Sequence, residues 1–286
     1  MTTPHLLLAA TVALCGALVP ATLAAPEIKL QPGIQAEFEV EGAPKSFACV
    51  RRSNEPQSVR MSIKLPADYS KSKRYPVLVF LSGGDGGWGG ELHQADPFLG
   101  SEGYILVNLP LFKPDFAGKN EDQQWTISPR DTDYALPAFR LLLNRLRELV
   151  PNIDESRSVL AGFSNGANSI ELILRAGDAD LLARFSTFVL IEGGFYLADS
   201  EVYYWPGQRF PPAQLSALAG KRVLLMHGDQ TNPPDRIPYI AAAQRAAAAL
   251  KQAGVETALM PMKEVGHDFP PAEMTRARAW VLAAPR

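Results

Sequence analysis

Cysteine is scarce in this sequence, and neither sign of charge dominates it. Of 286 residues only Cys15 and Cys49 are cysteines, and the formal net charge is −2. Two cysteines exclude a scaffold built on disulfides, and no cluster of cysteine and histidine has the spacing of metal ligands. A nearly balanced charge gives no reason to expect a nucleic-acid partner. Heptads and compositional repeats are also lacking, so a chain of this length is expected to bury one large core.

The N-terminal segment contains an apolar run, residues 5–19, that is too short to span a bilayer. Small residues follow it, and a cleavage after Ala24 or Ala25 fits the pattern of a secretory signal peptide. The stretch before the run has no lysine or arginine, which departs from that pattern. We expect residues 1–25 to be a signal peptide and residues 26–286 to form a single domain. The mature protein is then periplasmic or secreted, with no membrane span.

Short β-rich runs alternate with helical patterns along most of the chain. The runs are 75–81, 104–109, 158–163, 187–191, 223–226 and 257–262. The helical patterns between them are 132–150, 167–175 and 240–253. Such alternation predicts an α/β fold with right-handed crossovers and a mainly parallel sheet. An opening antiparallel pair is predicted from 47–52 and 59–65, and ligands are expected at the carboxyl ends of the parallel strands.

The most informative segment is the G-x-S-x-G pattern at residues 162–166, which reads Gly-Phe-Ser-Asn-Gly. It follows a predicted strand and precedes a predicted helix. A serine on such a sharp turn is lifted clear of the sheet, and the flanking glycines let the backbone pass closely. The helix that follows directs N–H groups and a positive dipole end at an anion forming there. This context predicts Ser164 as a nucleophile.

A serine hydroxyl needs a base to take its proton, and the base needs an acid to hold one tautomer. The sequence has four histidines. His5 lies in the predicted signal peptide, His93 follows a glycine-rich loop at a surface or pocket rim, and His227 ends a predicted strand, where it would brace a turn. His267 lies in a short loop between the last predicted strand and the last predicted helix. From there it can reach the serine turn, so we predict that it is the base.

The glycine-rich loop at residues 82–90 is a candidate oxyanion hole. Acyl transfer needs preorganised donors where negative charge develops. We expect one donor to be the backbone N–H of Asn165 and the other to be that of Gly84 or Asp85. The loop lacks the lysine and the glycine spacing of nucleotide-binding loops, which argues against a phosphate site.

Residues 65–69 (LPADY) and 75–84 (YPVLVFLSGG), together with the serine motif, resemble the α/β-hydrolases of the esterase D, feruloyl esterase and polyhydroxybutyrate-depolymerase-like branches. The resemblance extends from about residue 47 to the C-terminus. It implies the α/β-hydrolase fold with a small cap loop, and a serine esterase that acts on a small-molecule or polymeric ester through an acyl-enzyme without a metal or organic cofactor. Relatives usually have histidine where this chain has Ser82.

The resemblance also implies an acid between the nucleophile and the base in chain order. The usual family spacing would place it at Thr231, so the pattern is displaced here. Asp235 is preferred, because the proline three residues later resembles the start of the family's next helix, and Asp229 is the second choice. Glu192, after the preceding strand, and the absence of any acid are the remaining alternatives.

Aromatic residues are concentrated in the segment 195–212, which predicts a small cap over the site or rings that anchor a loop. The residues expected to line the substrate pocket are Trp88, Trp125, Phe195 and Tyr196. Two other functions remain open: a serine peptidase of the same fold, and a non-catalytic binding protein on the hydrolase scaffold.

Overall fold

The computed structural model describes residues 28–43, 59–84, 92–112, 127, 131–194, 216–230 and 239–283. Within them the strands are β1 Gln35–Glu39, β2 Arg60–Lys64, β3 Val77–Leu81, β4 Ile105–Asn108, β5 Val159–Phe163, β6 Thr187–Ile191, β7 Arg222–Gly228 and β8 Glu256–Met262. The α-helices are α1 Ala95–Leu99, α2 Thr132–Leu149, α3 Asn165–Ala176, α4 Ala179–Ala183, α5 Tyr239–Gln252 and α6 Pro271–Leu282. A 3-10 helix, Glu155–Arg157, precedes β5.

These strands form one sheet in the order β1-β2-β4-β3-β5-β6-β7-β8. Strand β2 is antiparallel to β1 and β4, and all the remaining neighbours are parallel. The predicted mainly parallel sheet is therefore confirmed. The six strands predicted beyond residue 75 and the three predicted helices match the observed elements to within two residues at each end.

The first strand of the sheet differs from the prediction. Strand β2 pairs with β1, Gln35–Glu39, whose residues alternate between exposed and half-buried. The predicted partner at 47–52 lies outside the described residues. Strand β1 carries a weak apolar signal because it lies at the edge of the sheet and packs only one partly buried face.

The central strands are buried on both faces. In β3, Val77, Val79 and Leu81 belong to one core cluster, whereas Leu78 and Phe80 belong to the other. This alternation follows from the two-residue period of a strand. Helices α2, α3 and α5 cover the first face, and α1 and α6 cover the second. Helices therefore occupy both faces of the sheet, and the loops that follow the parallel strands meet at the carboxyl ends of those strands.

In the part of the chain that the structure describes, no helix combines the length and the apolar character needed to cross a membrane. The predicted signal peptide, residues 1–25, lies outside the described residues.

Candidate active site

The turn between β5 and α3 presents Ser164. Its backbone has a φ of +54° and a ψ of −118°, a conformation that costs free energy for a residue with a side chain. A Cβ atom on Gly162 would lie 2.5 Å from the carbonyl carbon of Gly166, and one on Gly166 would overlap the carbonyl oxygen of Leu81. Both positions therefore require glycine. The Ser164 N–H donates to the Ile191 carbonyl at 2.8 Å, which holds the turn to strand β6.

The imidazole of His267 lies beside this serine. Its Nε2 is 2.9 Å from the Ser164 Oγ, which is hydrogen-bond distance. The imidazole also packs against the ring of Phe163, with 5.0 Å between the ring centroids. The loop that carries His267 is held by the turn after β7, where the Gln230 N–H donates to the Val265 carbonyl at 3.0 Å. The short loop between β8 and α6 thus brings the histidine to the serine turn.

The carboxylate that faces the other imidazole nitrogen belongs to Glu192. Its Oε2 lies 3.3 Å from the His267 Nδ1, and its Oε1 accepts a hydrogen bond from the Gly228 N–H. The Glu192 side chain has no exposure to solvent. In the tautomer with the proton on Nδ1, the imidazole donates to this carboxylate and its Nε2 lone pair faces Ser164.

Of the two aspartates predicted as the acid, the structure describes Asp229. Its Oδ1 accepts hydrogen bonds from the Glu264 N–H at 2.8 Å and from the Gln230 Nε2 at 3.1 Å. Asp229 therefore serves the turn after β7, in the structural role that aspartates commonly take in turns. Asp235 lies outside the described residues. Among the described carboxylates the one at the imidazole is Glu192, which the sequence analysis left, together with the absence of any acid, as a remaining alternative.

One signal in the sequence does point to Glu192. It directly follows the fully buried strand β6 and precedes Gly193 and Gly194. A charged residue at the carboxyl end of a buried parallel strand lies where ligands bind in such sheets. Strand β6 also neighbours β5, whose end presents Ser164, so the two side chains start from adjacent positions.

The loop after β3 lies against the serine turn. A Cβ atom on Gly83 would come within 3.1 Å of the Ser164 Cβ. The Gly84 carbonyl accepts from the Asn165 Nδ2 at 3.0 Å, and Asn165 is the first residue of α3. The structure thus brings Gly84 and Asn165, two of the predicted oxyanion residues, together at the serine. Asp85 lies outside the described residues.

Ser82, which replaces the usual histidine, is buried at the end of β3. Its hydroxyl accepts from the Asn108 Nδ2 at 3.1 Å, and the same amide group donates to the Phe80 carbonyl at 3.0 Å. The serine therefore helps to join the ends of β3 and β4.

The predicted substrate-pocket residues, Trp88, Trp125, Phe195 and Tyr196, all lie outside the described residues. His227, on β7, is fully buried, and burial together with the nearby charge of His267 lowers its pKa from 6.5 to about 3. It is therefore neutral at physiological pH. Across the described ranges, histidine, cysteine, aspartate and glutamate side chains nowhere gather in threes that could hold a metal ion.

Several solved structures share this architecture. A poly(aspartic acid) hydrolase-1 from Sphingomonas sp. KT-1 has a TM-score of 0.56 at 14% identity, over 89% of this chain and 100% of its own. An esterase from Pyrobaculum calidifontis has a TM-score of 0.54 at 15% identity, over 88% and 84%. A thermostable esterase from Pseudomonas putida ECU1011 has a TM-score of 0.53 at 16% identity, over 88% and 82%.

No protein-family model matches the sequence, and a search of the curated proteins found no match. At 14–16% identity, the likeness to these solved structures lies in the fold. The chain has the α/β-hydrolase fold that the resemblance in its sequence implied, and esterases are among the solved structures that share this fold.

Proposed function

We propose that this protein is a serine hydrolase that cleaves carboxylic esters, with Ser164, Glu192 and His267 as its catalytic triad. The observation that carries the proposal is the continuous chain of contacts from the serine Oγ through the imidazole to a buried carboxylate. Ordinary serines are poor nucleophiles, and a base held in one tautomer by an acid is the arrangement that activates them.

In the proposed reaction the Ser164 Oγ attacks the ester carbonyl carbon while the His267 Nε2 takes the hydroxyl proton. Glu192 stabilises the imidazolium that results. The negative charge on the substrate oxygen is held by the backbone N–H of Asn165 and by that of Gly84 or Asp85. The imidazolium then gives its proton to the departing alcohol, which leaves an acyl-enzyme. Water, activated by His267 in the same way, attacks the acyl-enzyme and restores Ser164.

Burial of Glu192 supports its role as the acid. A carboxylate removed from water needs compensating partners, and among the described residues Glu192 has the Gly228 N–H and the His267 imidazole. Its charge is screened little in such a site. The Glu192 carboxylate therefore strongly stabilises the positive charge that the imidazole gains during the reaction.

Fluorophosphonate labelling followed by peptide mapping tests the nucleophile. The folded protein should take the label on Ser164, whereas the Ser164→Ala variant and the heat-unfolded protein should take none, because an unactivated serine does not react. A wild-type protein that folds but takes no label on Ser164 would remove the nucleophile assignment. Labelling without turnover of any ester would indicate a hydrolase of another bond.

The bond cleaved is tested separately, since one structural neighbour is a poly(aspartic acid) hydrolase and others are esterases. Turnover of p-nitrophenyl esters is compared with that of peptide anilides, and then among aliphatic, feruloyl and hydroxybutyrate esters. We expect the esters to be cleaved and the anilides to be spared. Faster cleavage of anilides would favour the peptidase alternative.

We also propose that the protein is exported to the periplasm or beyond, with cleavage after Ala24 or Ala25. The support is the apolar run at residues 5–19 followed by small residues. N-terminal sequencing of the full chain expressed in a bacterial host should find a mature protein that begins at residue 25 or 26. A cytoplasmic protein that still begins at Met1 would contradict this.

A further inference from the structure

The side chain of Asn165, next to the nucleophile, joins two loops that are distant in sequence. Its Nδ2 donates to the Gly84 carbonyl at 3.0 Å, in the loop after β3. Its Oδ1 accepts from the N–H of Ile127 at 3.1 Å. Asn165 is 8% exposed, so these hydrogen bonds are shielded from competing water.

Asn168 extends the same arrangement to a third loop. Its Nδ2 donates to the Asn165 Oδ1 at 3.3 Å, and its own Oδ1 accepts from the Gly194 N–H at 2.8 Å. Gly194 lies two residues after Glu192. The two asparagines are three residues apart on α3 and therefore share one face of the helix. All three loops are thus tied to the first turn of α3.

The helix is a firm point of attachment. Its first ten residues are buried, and the Ser169 Oγ donates to the Asn165 carbonyl at 2.9 Å. The loop after β3, by contrast, is rich in glycine and has few side chains to pack, and glycine loses the most backbone freedom on ordering. Gly84 itself has a φ of +60°, and a Cβ atom there would meet no other described atom within 4 Å.

We propose that the carboxamide of Asn165 is a positioning residue for the oxyanion hole, an inference that rests on the proposed function. By holding the Gly84 carbonyl, it restrains the backbone of Gly84, one of the two residues proposed to supply the second oxyanion donor. Asn165 thus supplies a donor with its backbone N–H and orients the other donor with its side chain. Both proposed donors are thereby held at a fixed distance from Ser164.

Two substitutions separate the two hydrogen bonds. Asn165→Leu has nearly the same shape and removes both. Asn165→Asp removes the donor to Gly84 but keeps an acceptor for Ile127. The matched control is Asn152→Leu: Asn152 also bridges a loop, donating to the Ser70 and Lys73 carbonyls, but it lies near the amino end of β3, at the opposite edge from the serine.

The measurements are kcat and KM with a p-nitrophenyl ester, the melting temperature, and hydrogen–deuterium exchange at the Ile127 amide. Loss of one oxyanion donor costs about 100-fold or more in kcat, and the interaction is made only in the transition state. Both Asn165 variants should therefore lose about 100-fold in kcat with KM changed by less than about threefold. Exchange at Ile127 should accelerate in Asn165→Leu and stay near wild type in Asn165→Asp. Asn152→Leu should keep its kcat.

A kcat within about threefold of wild type in both variants would overturn the proposal, as would a raised KM with kcat retained, which marks a substrate contact. If Asn165→Leu does not fold, Asn165→Asp decides. If the wild-type protein is neither labelled by fluorophosphonate nor active on esters, the proposed function has failed independently. The exchange rate at the Ile127 amide then tests only whether the Asn165 side chain holds the loop of Ile127. Unchanged exchange in Asn165→Leu would refute that hydrogen bond.

Discussion

Two residues with side chains hold left-handed backbone conformations at the site. Ser164 has a φ of +54° and Glu192 a φ of +52°, each of which costs on the order of 1 kcal/mol or more. Such strain persists where neighbouring contacts hold the residue in place. Glu192 is held by the Met226 carbonyl, which accepts from its N–H at 2.9 Å, and by the contacts of its carboxylate with Gly228 and His267. The strain aims both side chains at the imidazole.

The identity of the acid is tested by neutral isosteres. Glu192→Gln keeps the shape but removes the charge that stabilises the imidazolium, so kcat should fall by about 1000-fold or more while the fold is retained. Asp229→Asn and Asp235→Asn should keep kcat within about threefold. A large loss in Asp235→Asn with activity retained in Glu192→Gln would return the role to the aspartate that the sequence favoured.

Buried His227 makes stability depend on pH. Its pKa is lowered from 6.5 to about 3 in the folded protein by burial and by the charge of His267. Below pH 6.5 the unfolded chain takes up a proton that the folded protein refuses, so the contribution to stability is full above that pH and is lost as pH falls toward 3.

The size of this effect follows from about 1.4 kcal/mol per pH unit. Between pH 6.5 and 5, wild type should lose about 1.6 kcal/mol more of its free energy of unfolding than His227→Gln does, since the unfolded histidine is already half protonated at pH 6.5. Urea denaturation of both proteins at the two pH values measures the difference. Equal losses in the two proteins would show that His227 is protonated without penalty in the folded state.

At the scale of elements, the β5–turn–α3 unit depends on close backbone approach. The end of β3 lies so near to the start of α3 that a side chain at Gly166 would overlap the Leu81 carbonyl. Helix α3 therefore approaches the sheet directly at the point where the serine is presented. Its first turn also ties the loops of the proposed oxyanion hole. The close packing that stabilises this unit therefore also fixes the geometry of the site.

Gly166→Ala tests that close approach. The added methyl group must displace backbone on a buried strand or helix, so we expect a loss of about 3 kcal/mol in the free energy of unfolding. Gly266→Ala is the control, because a Cβ atom there meets nothing within 4 Å and the backbone has no left-handed φ. Its stability should change by less than about 0.5 kcal/mol. Equal effects of the two substitutions would contradict the packing argument.

At the scale of the whole molecule, Arg222 joins the C-terminal helix to the sheet. It begins β7, and its guanidinium donates to the carbonyls of Trp280 and Val281 at 3.0 and 3.1 Å. It also stacks over the Trp280 ring, 4.3 Å from the centroid, and donates to Glu256 on β8 at 3.1 Å. The last carbonyls of a helix have no partner within it, so Arg222 caps α6. That helix follows directly on the loop of His267.

Arg222→Met should lower the free energy of unfolding by about 2 kcal/mol, because buried carbonyls lose a charged donor. The comparison is Arg60→Met, which breaks the exposed ion pair with Glu37 and should cost less than about 1 kcal/mol. Chemical denaturation measures both. A smaller loss for Arg222→Met than for Arg60→Met would show that the guanidinium does not stabilise the docking of α6.

Most of the fold could be predicted from local patterns. Strands buried on both faces appear as continuous apolar runs, so the prediction places β3 to β7 near their observed bounds. The half-buried strand β8 and the helices α2, α3 and α5 are also predicted near their bounds, whereas the five-residue helices α1 and α4 are not predicted. Strand β1 was missed because an edge strand with one half-buried face has a weak pattern. The strand predicted at 47–52 and the pocket residues lie outside the described part of the chain, and they stay predictions.

The sequence alone determined the parallel α/β architecture and the turn of Ser164. Short segments of sequence contain both signals: the apolar runs of strands that are buried on both faces, and the glycines Gly162 and Gly166. The sequence also indicated that a loop histidine would reach the serine. Which carboxylate meets that histidine was decided only by tertiary structure. Glu192 and Asp229 both follow strands that end at the same edge of the sheet, and short-range sequence does not distinguish them. In the folded protein the Glu264 N–H donates to Asp229, and the imidazole faces Glu192. This outcome depends on where loops that are distant in sequence converge.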